Sequence, residues 1–368
     1  MSYREHLSAA AAQFVSDGRV TDIREYGNGN INSTFLVSLQ GAEEKHFILQ
    51  RLNTRVFRQP ELVMSNMRIC TEHLMERVLR GRSPLDRRWE VPSVLPARGG
   101  ADYWLDPSGS FWRAIRFIEA ARAFDTIQDA DHAGEVGRAL GAFHNLIGDL
   151  PVESLADILP GFHVTPLYLK HYEKVLSTAD VPHNPEVRHA LRFVGERRSA
   201  AGVLEEASVA GKLRLRPIHG DPKVNNVMID TSTLQAVGIV DLDTVKPGLI
   251  HYDVGDCLRS GCNPLGEETP HWEDVRFEPE LCRAILRGYL EAAGPSLSGS
   301  DCDYLYDAVR LIAFELGLRF FTDYLEGNVY FKAGYPEHNL ARALVQFRLA
   351  ESVESRESVI RQIVEEMR

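Results

Sequence analysis

Cysteine is scarce in this sequence: five in 368 residues, at positions 70, 257, 262, 282 and 302, with no C-x-x-C pair. That odd count fits buried thiols in a reducing compartment better than a disulfide framework, and no His or Cys cluster completes a zinc site. Long apolar runs are missing as well. No stretch approaches the ~20 apolar residues of a membrane span. The opening MSYREHLSAAAAQFVSDG carries charges where a signal peptide needs an apolar core, and reads instead as an amphipathic helix. A soluble cytoplasmic protein with no membrane partner is expected. Basic residues are outnumbered, 41 Lys and Arg against 52 Asp and Glu, for a formal net charge of −11. Broad nucleic-acid binding is excluded on that balance, because it needs clustered cations to displace phosphate counterions. A local basic pocket for a small anion is not.

What is present is ordinary for a globular chain, 44% hydrophobic and 25% charged, and long enough for two lobes. The first third alternates. VTDIREY (20–26), INSTFLVSL (31–39) and KHFILQRLN (45–53) are β-rich and separated by turn-like GNGN and QGAEE, which predicts a three-stranded antiparallel meander. PELVMSNMRICTEHLMERVLRG follows at helical spacing, with Pro60 near its start and Gly81 near its end. VPSVLPA (91–97) and FWRAIRFI (111–118) are further strand candidates. From about residue 130 helical periodicity dominates, interrupted by one β island, VMID (227–230) and AVGIVDLD (236–243). The plan is an α+β chain: a β-rich N-terminal lobe over 1–118, a connector over 119–130, and a helical lobe over 131–368 with an embedded hairpin.

That hairpin carries the chemistry. PIHGDPKVNN precedes its first strand and DLD ends its second, so folding back brings the two flanks together. Asn226 and Asp241 can then offer two oxygens to one hard cation, and Mg²⁺ completes such a shell with water and phosphate oxygens. Asp221, off the metal, is free to accept a hydroxyl proton, and Lys223 can offset charge on a transferring phosphoryl group. Positioning, neutralisation and an oriented nucleophile are what phosphoryl transfer requires. Any one of these residues alone would be a surface carboxylate or a turn; the set at this spacing points to a kinase site.

HGDPKVNN resembles the catalytic loop of the protein kinase-like superfamily, and IVDLDTV its metal-binding segment. The His-Gly-Asp form is similar to the aminoglycoside phosphotransferase/choline kinase branch. GNGNINSTFLV (27–37), FILQRLNTRVFRQPELVMSNM (47–67), the two hairpin flanks with IVDLDTVKPGLIHYDVGDCLRSG, and GLRFFTDYLEGNVYFK (317–332) together resemble the N-acetylhexosamine 1-kinases. The resemblance implies a bilobal protein kinase-like fold, ATP and Mg²⁺ as cofactors, Asp221 as general base, and Asn226 and Asp241 as metal ligands. Asp243 is left as a supporting residue or an auxiliary ligand, and His219 as a residue that holds the loop. Gly27 and Gly29 would bring backbone N–H groups to the phosphates; Asn32 replaces a third glycine, and Asn30 or Asn32 would bond through its side chain instead. No V-A-I-K lysine stands on the third strand. Alternation permits Gln50 or Arg51 to face the cleft, and Arg51 is the one able to pair with phosphate and a helix carboxylate, Glu61 or Glu72. Backbone groups at Glu119 and Ala120 would meet adenine.

For the acceptor, the resemblance implies contact through Arg319 and Asp323, four apart on one helix face, and through Tyr330. The expected reaction is phosphorylation of the anomeric hydroxyl of N-acetylglucosamine or N-acetylgalactosamine. Another small alcohol or amino sugar, such as choline or an aminoglycoside, is the alternative within the superfamily. A nucleotide-binding regulator without catalysis is the alternative outside it.

Overall fold

The computed structural model describes residues 3–27, 31–81, 85–294 and 297–367. Helix α1 (Tyr3–Ala12) precedes the antiparallel meander β1 (Arg19–Glu25), β2 (Ser33–Gln40) and β3 (His46–Arg51). After α2 (Pro60–Leu79) come the short strands β4 (Val94–Leu95) and β5 (Trp104–Leu105), and then β6 (Phe111–Arg116). The sheet order is β1-β2-β3-β6-β4, with β5 also on β6. Pro92 and Pro96 flank β4 and restrict it to two residues, fewer than VPSVLPA suggests.

Alternation decides what each face of this sheet does. Phe35, Val37, Phe47, Leu49, Trp112 and Ala114 form one face and pack under Leu7, Ala10 and Ala11 of α1. Ile48 and Ile115, of the other parity, join the main core on the side of α2.

The crossing segment contains β7 (Ala121–Arg122), followed by α3 (Ala130–Ile147), α4 (Thr165–Leu176), α5 (Pro185–Arg197) and α6 (Val203–Val209). Strands β8 (Arg216–Ile218), β9 (Val227–Asp230), β10 (Ala236–Ile239) and β11 (Lys246–Gly248) come next, and then α7 (Ile250–Gly261). The chain ends in α8 (Pro279–Ala293), α9 (Gly299–Asp303), α10 (Leu305–Leu325), α11 (His338–Glu354) and α12 (Glu357–Glu366). Helices α11 and α12 are separated at Ser355 and Arg356, although the periodic segment ARALVQFRLAESVESRESVIRQIVEEMR reads as continuous in sequence. Helices α3 and α8 approach until backbones touch. A Cβ on Gly137 would lie 1.9 Å from the Ile285 carbonyl oxygen, and one on Gly288 would lie 2.0 Å from that of Gly134. Glycine is required there by space rather than by backbone angle.

Two small antiparallel pairs frame the region of interest. β9 and β10 pair with Val227 opposite Ile239, and β8 and β11 pair with Ile218 opposite Lys246. Residues 219–226 and 240–245 are therefore pinned to each other at both ends. β7 pairs with β9, so the connector enters the same sheet. Among the described residues no helix is long and apolar enough to cross a membrane. No disulfide forms there either, and Cys70, Cys257, Cys262 and Cys282 are buried.

Candidate active site

The segment 219–226 lies so close to 241–245 that a Cβ on Gly220 would stand 2.7 Å from the Thr244 carbonyl oxygen, at φ +87°. Only glycine takes that angle in that space. Helix α7 holds the loop from below. Asp253, fully buried, accepts the His219 N–H at 2.7 Å and the Gly220 N–H at 2.8 Å, and His144 Nε2 donates to it at 2.9 Å. Burial opposes its ionisation, but these donors and the neighbouring imidazoles keep its carboxyl below the usual range. Ser260, seven residues on and so on the same helix face, accepts the Val224 N–H at 3.2 Å. His219 donates from Nε2 to the Val240 carbonyl at 3.0 Å and accepts the Asp221 N–H on Nδ1 at 3.2 Å. Burial pushes its pKa down, so the ring is a neutral strut across the two segments.

Asp221, Lys223, Asn226 and Asp241 lie near one another. Lys223 Nζ stands 3.0 Å from Asp221 Oδ2. Asn226 Nδ2 donates to the Asp221 carbonyl at 2.7 Å and lies 3.4 Å from its Oδ2. The Val240 N–H donates to the Asn226 carbonyl at 2.9 Å, which sets Asp241 beside Asn226. That main-chain bond extends the β9–β10 ladder by one rung beyond the Val227–Ile239 pair. Asp241 itself takes a left-handed backbone, φ 67° and ψ 52°, at the point where the strand turns back.

The electrostatics divide the two carboxylates. Burial alone would raise the pKa of Asp221, but Lys223, followed by His219 and Arg259, holds it below the usual carboxylate range. Asp241 is solvent-accessible yet closely surrounded by protein. That desolvation, with the charges of Asp243 and Asp221 added, pushes its pKa up to about 7. A carboxylate with unmet negative charge beside an amide oxygen is a donor set suited to a hard divalent cation. No three His, Cys, Asp or Glu side chains converge on one point among the described residues. A cation held here would thus take Asp241, Asn226 and oxygens from outside the protein.

On the nucleotide side the structure redraws several expectations. Gly27 is exposed at φ +73°, and Gly29 and Asn30 lie outside the described residues. Asn32 is not presented to a ligand: its Nδ2 donates to Asp243 Oδ2 at 2.6 Å, and its Oδ1 accepts the Asn53 N–H at 2.9 Å. Arg51 shares its parity with Phe47 and Leu49, so it projects on the α1 side of the sheet, exposed and 3.5 Å from Ser33 Oγ. Glu61 is exposed on α2, while Glu72 pairs with Arg68 at 3.5 Å. The Glu119 carboxylate meets His46 Nδ1 at 2.6 Å and its carbonyl accepts from Arg88 at 2.8 Å, while the Ala120 carbonyl accepts the Thr231 N–H at 2.9 Å. Those two carbonyls are engaged within the protein.

The cation that does face inward is Arg113. It sits on β6 directly across from Gln50, fully buried, and donates to Gln50 Oε1 from Nε at 2.9 Å and from Nη2 at 2.7 Å. Nη2 also pairs with Asp243. Sequence reading passed over it, although a lone arginine inside the apolar run FWRAI was the available signal.

On the acceptor side Arg319 is largely buried among rings, 5.2 Å from Phe162, 5.0 Å from Tyr168 and 5.5 Å from Phe331. Burial works against its charge, but Tyr168, Tyr330, Glu315 and Asp221 outweigh this and raise its pKa. Arg319 pairs backward with Glu315, at 3.9 Å, rather than forward with Asp323. Asp323 is buried and accepts the N–H groups of Tyr330 at 2.7 Å and Phe331 at 3.0 Å and the Asn339 amide at 2.9 Å. It shapes the loop after α10 instead of facing a substrate. Tyr330 is 45% exposed, edge-on to Phe331, which leaves its ring open to the solvent side. Glu315 was also missed. Its carboxylate receives His163 Nδ1 at 2.9 Å and Thr165 Oγ1 at 2.8 Å, and His163 Nε2 donates to the Gly220 carbonyl at 2.8 Å.

Residues 22–297 match the APH phosphotransferase enzyme family. Among solved structures, an aminoglycoside phosphotransferase from Alicyclobacillus acidocaldarius subsp. acidocaldarius DSM 446 aligns with a TM-score of 0.62 at 15% identity, over 97% of this chain and 96% of that one. A microcompartment-associated aminopropanol kinase aligns with a TM-score of 0.61 at 19% identity, over 95% and 98%. A choline kinase from Cryptosporidium parvum Iowa II gives 0.56 at 14% identity, over 93% and 91%. At these identities the likeness speaks for the fold, an α+β protein kinase-like arrangement with an N-terminal sheet and a helical remainder.

Proposed function

This chain belongs to the APH phosphotransferase enzyme family, and from that membership we propose that it is an ATP- and Mg²⁺-dependent kinase of N-acetylhexosamines, acting at the anomeric hydroxyl. The observation that carries the phosphotransferase chemistry is the contact of Asp221 with Lys223 and Asn226, with Asp241 set beside Asn226 by the adjoining ladder. Asp221, kept ionised by Lys223, accepts the hydrogen of the acceptor hydroxyl and aims its oxygen at the phosphorus. A loose transition state generates little proton pressure, so orientation is the larger part of this role, and removing it costs ~10²–10⁴ in rate. Asn226 and Asp241 would hold Mg²⁺, which when bound neutralises charge on the phosphate oxygens.

The acceptor assignment rests on Arg319 and on the likeness of 317–332 to the hexosamine kinases. A guanidinium framed by Phe162, Tyr168 and Phe331 offers several N–H donors in an apolar frame, which suits a neutral polyol ring. The same permanent charge repels a quaternary or primary ammonium, which disfavours choline, aminopropanol and polycationic aminoglycosides. The test is ADP release with N-acetylglucosamine, N-acetylgalactosamine, choline, aminopropanol and aminoglycosides, with and without Mg²⁺. Mg²⁺-dependent turnover of the hexosamines and loss of the reducing end in the product are expected. Turnover confined to a cationic alcohol rejects the sugar assignment, and nucleotide binding without any turnover rejects the enzyme.

A further inference from the structure

Asp243 lies two residues beyond Asp241, buried, and both of its oxygens are taken by the N-terminal sheet. Oδ1 meets Arg113 of β6, and Oδ2 receives Asn32, whose own Oδ1 fixes the backbone of Asn53 just past β3. Arg113 is braced in turn by Gln50 and lies 3.6 Å from the Met67 sulfur and 3.9 Å from that of Met64 on α2. A single carboxylate thus joins the start of β2, the centre of the sheet and the turn that presents Asp241.

We propose that Asp243 is a clasp between the N-terminal sheet and the cation-binding turn, with Arg113 and Asn32 as positioning residues for a bound Mg²⁺–nucleotide. The inference rests on the kinase reading above. Arg113 has no solvent-accessible side-chain surface, so it acts through Asp243 rather than on the phosphates. Its position differs from that of a third-strand lysine: the charge comes from the neighbouring strand and ends on the protein. Asn32 serves the other half of the clasp, because it ties the end of the first sheet turn to the same carboxylate. With both bonds made, the phosphates and the cation meet a site whose two walls are already in register, and less ordering remains to be done on binding.

Calorimetric titration of the full chain with Mg²⁺–ATP, beside thermal unfolding, tests this without any acceptor. Asn32→Ala removes the bond to Asp243 together with the bond from the Asn53 N–H, both partly exposed, and is expected to weaken Mg²⁺–ATP binding about tenfold, in keeping with the loss of a hydrogen bond to a charged group, while the chain stays folded with a small drop in melting temperature. Asn32→Asp sets a like charge against Asp243 and should weaken binding further than alanine does. Arg113→Met fills the space between the two methionines without the charge and should also weaken binding, and raise the KM for Mg²⁺–ATP while leaving that for the acceptor alone. Wild-type affinity in a folded Asn32→Ala or Arg113→Met chain overturns the clasp. If Arg113→Met does not fold, the two Asn32 variants decide. Should the wild-type chain bind no Mg²⁺–nucleotide, the kinase reading falls and the clasp falls with it.

Discussion

Desolvation, with the charges of Asp243 and Asp221 added, works against the ionisation of Asp241, and that sets its behaviour. Replacing it by alanine should abolish Mg²⁺-dependent turnover while circular dichroism and thermal unfolding stay close to wild type, since the described structure gives its side chain no hydrogen bond to lose. Undiminished turnover in Asp241→Ala would remove it from the metal site. The pH dependence follows from the same residue. With its pKa raised to about 7, the carboxylate is protonated below that pH and must lose the proton to take a cation. The apparent Mg²⁺ requirement should therefore rise by roughly tenfold per pH unit below neutrality, as measured by activity against Mg²⁺ concentration at several pH values. A requirement flat from pH 5 to 8 contradicts this. At Gly220 the constraint is steric. Alanine at φ +87° with its Cβ 2.7 Å from the Thr244 oxygen should cost about 1–3 kcal/mol and lower kcat by displacing the Asp221 backbone.

At the scale of elements, the hairpin and its flanks were legible because the chemistry there is written in consecutive residues. HGDPKVNN and IVDLD bracket β9 and β10, and the ladder does the rest. Helix α7 was not legible as support: IHYDVGDCLRSG mixes charge and glycine, and Asp253 gains its role only from two N–H groups more than thirty positions upstream. Arg51 against Arg113 shows the same limit. Strand periodicity gives parity, but which parity faces α2 is fixed by α1 covering the other face. The long-range bonds of Asp323 are likewise invisible in a helix-face pattern that pairs Arg319 with Asp323. A further prediction belongs here. Gly137→Val wedges a side chain into the Ile285 carbonyl and should destabilise the chain by about 3 kcal/mol or more, read from the midpoint of urea unfolding. A change below about 0.5 kcal/mol would mean that α3 and α8 separate freely.

At the scale of the whole molecule, a buried ion pair between His163 and Glu315 reaches across the helical part. Glu315 of α10 holds His163, and His163 holds the Gly220 carbonyl. Burial works against the charge on His163, but Glu315 outweighs it and raises the imidazole pKa, while His163 keeps the Glu315 carboxyl low. A raised imidazole pKa contributes stability that is complete below the ordinary value of 6.5 and is lost as pH climbs through the folded value. The wild-type chain should thus lose thermal stability as pH rises above that ordinary value, and His163→Gln should be less stable at pH 6 with a flatter alkaline slope. Equal slopes in the two proteins would remove His163 from the account.

The pairing of β7 with β9 has a mechanical consequence. Because Ala121 and Arg122 are already hydrogen-bonded opposite Asp230 and Ile229, the strip of chain that links sheet to helices has no slack where it passes the hairpin. Any relative movement of sheet and helices is then constrained at that seam.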